Sequence, residues 1–337
     1  MAINLAKRLA WTILVSKGLS FDDCRQNMRG FYSRSRSVND FEMKQEVKNL
    51  PTIADMLYDH TLIHKFENKF TSWIQQNSLN TCKGLENLQP DISQGATQAF
   101  DSFYINHSDK NMKMFIGEYL YHVVVRKNLN KPFSFIKTLK DIKSGDALIL
   151  SVPFCDTGNH VPNLDAILQD CEDKNVPVLL DCAYYTIAKG LDIDLRYNCI
   201  DTVTFSLSKT FPIAHARVGI RYTKHSLQDG QKLHSNINYD NRISAGIGLH
   251  FINKFPSDYI WLKYKSSYDK FVKVLGLKHS QTILFADGDD QWIEYGRRDI
   301  LKSYGLDDDQ SLYHNRICVT ELLENVELTE KVIDAIN

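Results

Sequence analysis

Between about residues 90 and 225 the chain alternates short apolar runs with amphipathic stretches. The runs are 113–116, 147–152, 176–180, 201–205 and 218–222, and a nearly all-apolar one such as 176–180 is expected of a strand buried on both faces of a parallel sheet. One intervening stretch shows the logic. Leu164, Ile167, Leu168 and Cys171 share one helical face behind Asn163, a good N-cap, and the stretch ends before Asn175-Val176-Pro177. Apolar strands separated by amphipathic helices predict a mainly parallel sheet sandwiched by helices. Before this region the pattern is helical with polar interruptions: Met56, Leu57, Leu62, Ile63, Phe66 and Phe70 recur near a 3.6 period. After about 230 it is helical again over 249–255 and 258–275. A short sheet-like part follows (282–285 and 316–319), then a last helix capped by Thr329 with Val332, Ile333 and Ile336 inward.

The resulting expectation is an α/β fold. A large domain over 50–230 carries the sheet, and segments 1–49 and 231–337 form a smaller α+β domain. The 337 residues suit two domains at about 150 residues each, and a 43% hydrophobic composition excludes a disordered chain. With 40 Lys+Arg against 41 Asp+Glu there is no electrostatic footprint for nucleic acid. No run approaches the ~18 apolar residues of a membrane span. Seven scattered cysteines form no CxxC pair and no zinc-ligand set, so no metal is expected and a reduced, cytoplasmic chain is. Lys7 and Arg8 precede an apolar run at 9–15, but no A-x-A cleavage site follows. The N-terminus is read as an amphipathic helix rather than a targeting signal.

In parallel sheets ligands gather at the carboxyl ends of the strands, and polar residues are concentrated there. One strand runs into Asp181-Cys-Ala-Tyr184, the next into Ser206-Leu-Ser-Lys209, and Arg217 opens the strand after that. Upstream, Ser93-Gln-Gly95-Ala96-Thr97 precedes a helix whose start could receive a phosphate. Singly, such residues serve as caps, solvated lysines or surface ion pairs. Together they answer the needs of one cofactor: a carboxylate for a pyridinium, a hydroxyl for a phenolate, an amine for an aldehyde, and Ser, Arg and helix amides for a phosphate.

Asp181-x-x-Tyr184, Ser206-x-x-Lys209 and, after seven residues, Arg217 resemble the signature of pyridoxal-phosphate (PLP) enzymes of the aspartate aminotransferase superfamily (fold type I, class I/II aminotransferases). The resemblance spans about residues 95–316. It implies that Lys209 holds PLP as an internal aldimine and moves the substrate's Cα proton. Asp181 pairs with the pyridine nitrogen, and Tyr184 donates to the ring's phenolic oxygen. Ser206, Arg217, Ser208 and the amides around Gly95, Ala96 and Thr97 hold the phosphate. An aromatic stacks on the ring: Tyr119, with Tyr121 as the alternative. Arg316, in His314-Asn315-Arg316, forks onto the substrate's α-carboxylate. The resemblance also implies an amino acid or amine and a 2-oxo acid as substrates, and a homodimer sharing its active sites, with a contribution from Tyr58 or from 239–242.

The sequence departs from the family pattern at Cys155, which occupies the position of an asparagine that shares the phenolic oxygen; Asn159 is the nearby substitute. Arg34, Arg36 and Arg242 are the candidates for a second, side-chain-recognising arginine. Aminotransfer is therefore weighed against decarboxylation or elimination, and against a non-catalytic binding module. A dinucleotide-binding reading of Gly246-Ile-Gly248 fails because the third glycine and the βαβ context are missing.

Overall fold

The computed structural model describes residues 2–125, 134–224, 228–296 and 315–335. The strands among them are β1 (Thr81–Lys83), β2 (Gln89–Gln94), β3 (Asn111–Phe115), β4 (Ser134–Ile136), β5 (Asp146–Ser151), β6 (Val178–Asp181), β7 (Asp192–Asp194), β8 (Ile200–Ser206), β9 (Val218–Thr223), β10 (Lys278–His279), β11 (Phe285–Asp287) and β12 (Arg316–Cys318). Seven of them form the main sheet in the order β2-β9-β8-β6-β5-β3-β4. β4, β3, β5, β6 and β8 pair in parallel, while β9 runs antiparallel to both β8 and β2. Every residue of β5 and β6 is buried, which is why their sequence runs are apolar rather than alternating.

β9 is buried throughout although Arg221 lies within it. The guanidinium bonds Asp91 on β2 at 3.0 Å and Asp229 at 2.5 Å, and Lys232 takes the other oxygen of Asp91 at 2.8 Å. Pairing of this kind is what permits a charge in a sheet interior. β2 itself, Gln-Pro-Asp-Ile-Ser-Gln, carries no hydrophobic pattern and was not anticipated; nor was the three-residue β4.

Helices cover the sheet. Leu62–Gln75 buries Leu62, Ile63, Phe66, Phe70, Trp73 and Ile74. It packs against Arg242–Lys254, which also touches β9. Gly246 and Gly248 lie on this contact. A Cβ at Gly248 would sit 2.6 Å from the Phe66 ring and 2.7 Å from Val218, so the glycine pair serves close helix packing. Leu57 is exposed, because Asp59-His60-Thr61 interrupts the helical period expected across 56–70.

At the N-terminus, Ala2–Ser16 is an amphipathic helix burying Leu5, Leu9 and Ile13. It packs on the last helix, Val326–Asp334. That helix begins three residues before the expected cap: Thr329 is interior, with its hydroxyl donating to Leu322 O at 3.3 Å. Ile336 lies outside the described residues. Asn163 does precede the helix Leu164–Asp173, but in a left-handed conformation (φ 55°) with no side-chain capping bond. Its tolerance of that backbone, not its oxygen, starts the helix. In the small antiparallel sheet β10-β11-β12 the strand expected from 282 starts later, at Phe285. Thr282 makes only an isolated bridge to Ala188. Among the described residues no helix is long and apolar enough to cross a membrane.

Candidate active site

The carboxyl ends of β3, β5, β6 and β8 open on one edge of the sheet, where β9 begins. β6 ends at Asp181, 7% exposed, whose Oδ1 accepts from Ala183 N–H at 3.0 Å. Burial pushes its carboxyl up to about 6, against the opposing effects of Ala183 N–H and the nearby Lys209. The charge is thus costly until a cationic partner arrives. Three residues on, the Tyr184 hydroxyl lies 3.2 Å from Ser35 Oγ, and its ring meets Phe285 edge-on at 5.2 Å.

β8 ends at Ser206, whose hydroxyl accepts from Ser208 N–H at 3.3 Å. The Lys209 amine donates to Ser35 O at 2.7 Å. Its pKa is lowered, first by burial and then by Arg316; Cys318, Cys155 and Asp181 oppose this. Arg316 starts β12 and is 6% exposed. Its guanidinium lies 4.2 Å over the Phe285 ring. Nη1 donates to Cys155 O and lies 3.8 Å from Cys155 Sγ, while the buried Nε has no hydrogen-bond partner. Arg316, Lys209, Asp181, Tyr184 and Cys155 are thus brought together.

The phosphate candidates meet beside them. Gly95 (φ 73°, ψ 178°) precedes the helix Ala96–Asn106. Arg217, itself left-handed (φ 52°), directs Nη2 to Gln94 O and to Thr97 Oγ1, each at 3.2 Å. A Cβ at Gly95 would stand 2.5 Å from that nitrogen. Only glycine lets helix start and guanidinium converge. Buried Ser208 Oγ and Ser93 Oγ have no partner. Two orphaned hydroxyls, an arginine and a helix N-terminus suit a phosphate.

Tyr119, 40% exposed, lies parallel to Tyr121 at 6.3 Å. Tyr121 donates to both oxygens of Asp101, at 2.8 and 2.9 Å. The Asn159 side-chain oxygen accepts from Gln281 N–H at 2.8 Å and so braces the loop. Arg36 is clamped by Glu321 at 2.7 Å and by Glu324 at 2.6 Å. Arg242 donates to Leu57 O at 2.7 Å, and Arg34 is exposed beside Gly30. His314 lies outside the described residues.

Several neighbours were not singled out from sequence. Ser35 and Phe285 come from segments far from the motifs and carry no local signal. His122 is fully buried and pushed down to about 3, hence neutral. Its Nδ1 pairs with the Tyr104 hydroxyl, and its Nε2 has no partner. Glu118 accepts from Ser151 N–H at 2.8 Å and from Ser151 Oγ at 2.6 Å. Among the described residues no cluster of three or more His, Cys, Asp or Glu side chains could hold a metal ion.

Solved structures show the same fold. The PLP-bound C-S lyase from Staphylococcus hominis matches at TM-score 0.63 and 12% identity, over 90% of each chain. Histidinol-phosphate aminotransferase from Clostridium acetobutylicum matches at 0.60 and 12%, over 90% of this chain and 98% of that one. An aminotransferase from Mycobacterium tuberculosis matches at 0.63 and 14%, over 90% of each. No protein-family model matches the sequence, and no curated protein does.

Proposed function

We propose that this chain is a PLP-dependent enzyme acting on amino acids, in the first instance an aminotransferase between an amino acid or amine and a 2-oxo acid. The observation that carries the reading is the convergence of a buried carboxylate (Asp181), a half-buried amine of lowered pKa (Lys209) and a partly unpaired arginine (Arg316) at the strand ends. The fold and the named activities of its structural neighbours agree with it. Bound PLP supplies an electron sink that acidifies the substrate's Cα–H.

The chain's own groups then divide the work. Asp181, destabilised as a lone anion, gains a partner in the pyridinium nitrogen and keeps it protonated. Tyr184 donates to the phenolic oxygen. Lys209, with its charged form disfavoured, is available both as a nucleophile for the aldehyde and as the base that moves the Cα proton. Arg316 offers its free N–H groups to the α-carboxylate, with its plane set by Phe285. Gly95, Ala96, Thr97, Ser206, Ser208 and Arg217 receive the phosphate, and Tyr119 covers the ring. Cys155 serves through Arg316.

A homodimer completes the proposal. Tyr58 (79% exposed) and Tyr239 (80%) stand out with Leu233 and Ile237, and Asn238 ties their segments together through His60 O at 2.7 Å. A second copy covering these side chains would bury them. A lyase is the second reading. It is favoured by the clamping of Arg36 between two carboxylates, which denies that arginine to the second carboxylate of a dicarboxylic amino acceptor. The test is a single turnover of the PLP-loaded protein with individual amino acids. A 2-oxo acid formed without free ammonia supports aminotransfer; ammonia release favours the lyase and carbon dioxide a decarboxylase. No product with any amino acid overturns the enzyme reading.

A further inference from the structure

We propose that Glu118 is a positioning residue for Arg316, acting through Ser151 and Cys155; this rests on reading Arg316 as the carboxylate fork. Glu118 follows β3 and is 1% exposed. Its two oxygens accept both donors of Ser151 at the end of β5, the N–H at 2.8 Å and the hydroxyl at 2.6 Å. Donation to Glu118 fixes the hydroxyl rotor, so the Ser151 lone pair faces Cys155 N–H, which it accepts at 2.8 Å. That bond orients the Cys155 segment, whose carbonyl accepts from Arg316 Nη1 and whose Sγ lies 3.8 Å from the same nitrogen.

The chain of contacts settles which edge of the guanidinium is used up. Nη1 is held on Cys155 and the plane rests on Phe285, while Nε remains buried and unpaired. A carboxylate this deeply buried is costly unless its acceptors are fully used. Each oxygen of Glu118 accepts from the serine that sets the Cys155 loop. Glu118 touches no reacting atom; it acts on Arg316 by three hydrogen bonds in series.

Lys209 reports on Arg316, because burial first and that guanidinium second hold the amine below its ordinary range. Asp181, Cys155 and Cys318 also bear on Lys209 and are unchanged in every variant. The experiment is the protonation midpoint of the Lys209 amine, read by NMR of 13C-methylated lysines in full-length protein free of PLP and assigned with Lys209→Arg. Arg316→Met raises the midpoint. Glu118→Gln and Ser151→Ala each raise it part of the way, and neither adds to the shift when combined with Arg316→Met. A midpoint unmoved by both Glu118→Gln and Ser151→Ala, or shifts that add in full to that of Arg316→Met, would overturn the proposal. If Glu118→Gln does not fold, Ser151→Ala carries the test.

Because no cofactor is present, a wild type that fails to take up PLP refutes the proposed function without touching this result. In the loaded enzyme the same two variants weaken amino-acid binding about tenfold, the scale of one charge-assisted hydrogen bond. Binding of the matching carboxylate-free amine stays unchanged. Equal weakening of both would show a merely structural role.

Discussion

Gly95→Ala tests the phosphate cradle. The residue sits at φ 73°, ψ 178°, a region that is essentially glycine-only and costs other residues ~1–3 kcal/mol. The new Cβ would also stand 2.5 Å from Arg217 Nη2 and 3.0 Å from Cζ. Arg217 is exposed, so its guanidinium can swing away, giving up Gln94 O and Thr97 Oγ1. The stability cost is therefore mostly backbone strain, about 2 kcal/mol, or roughly 3 °C in Tm for a chain of this size. The binding cost is separate. Losing one charge-assisted contact to phosphate is worth about 1.5–3 kcal/mol, so PLP affinity falls by roughly tenfold or more. Thermal unfolding reads the first effect and PLP titration followed by absorbance the second. Unchanged PLP affinity in a protein whose Tm has fallen would refute Arg217 and Gly95 as the phosphate site.

Two further predictions concern the scaffold. Gly248→Ala meets the Phe66 ring and Val218, whereas Gly246→Ala meets the flexible Met56 side chain; overpacking of the first costs about 1–3 kcal/mol and of the second less, as chemical denaturation would measure. Glu67 is pushed up to about 8, first by burial and then by Asp91. The folded state therefore binds more protons than the unfolded chain between the ordinary carboxylate range and pH 8, and stability falls as pH rises through that window. Asp181 and Asp240, both raised to about 6, account for the lower part. Glu67→Gln flattens the slope above about pH 6, and denaturation midpoints at about pH 6 and about pH 8 check it.

The parts of the fold that could be read from sequence are those whose burial is written in local composition. β5 and β6 are apolar because both faces are covered, and the amphipathic helices declare their inward face. β2 could not be read, since Asp91 is acceptable in a buried strand only through Arg221 and Lys232, which lie more than a hundred residues away in the chain. The site divides in the same way. Asp181, Lys209 and Arg217 stand at strand ends and were visible as a spaced set. Ser35, which receives the Lys209 amine, and Phe285, which underlies Arg316, are placed by packing of the terminal segments on the sheet edge. Asn159 marks the limit of reading by proximity: its oxygen accepts from Gln281 N–H, a contact that no local signal announces.

The most direct test of the central claim is the absorption spectrum of the purified protein with added PLP, for wild type and Lys209→Ala, before and after borohydride. The account predicts a visible band in the wild type, fixed by reduction onto a peptide containing Lys209, and no fixed cofactor in the variant. A wild type that retains no PLP, or reduction onto another lysine, would contradict it.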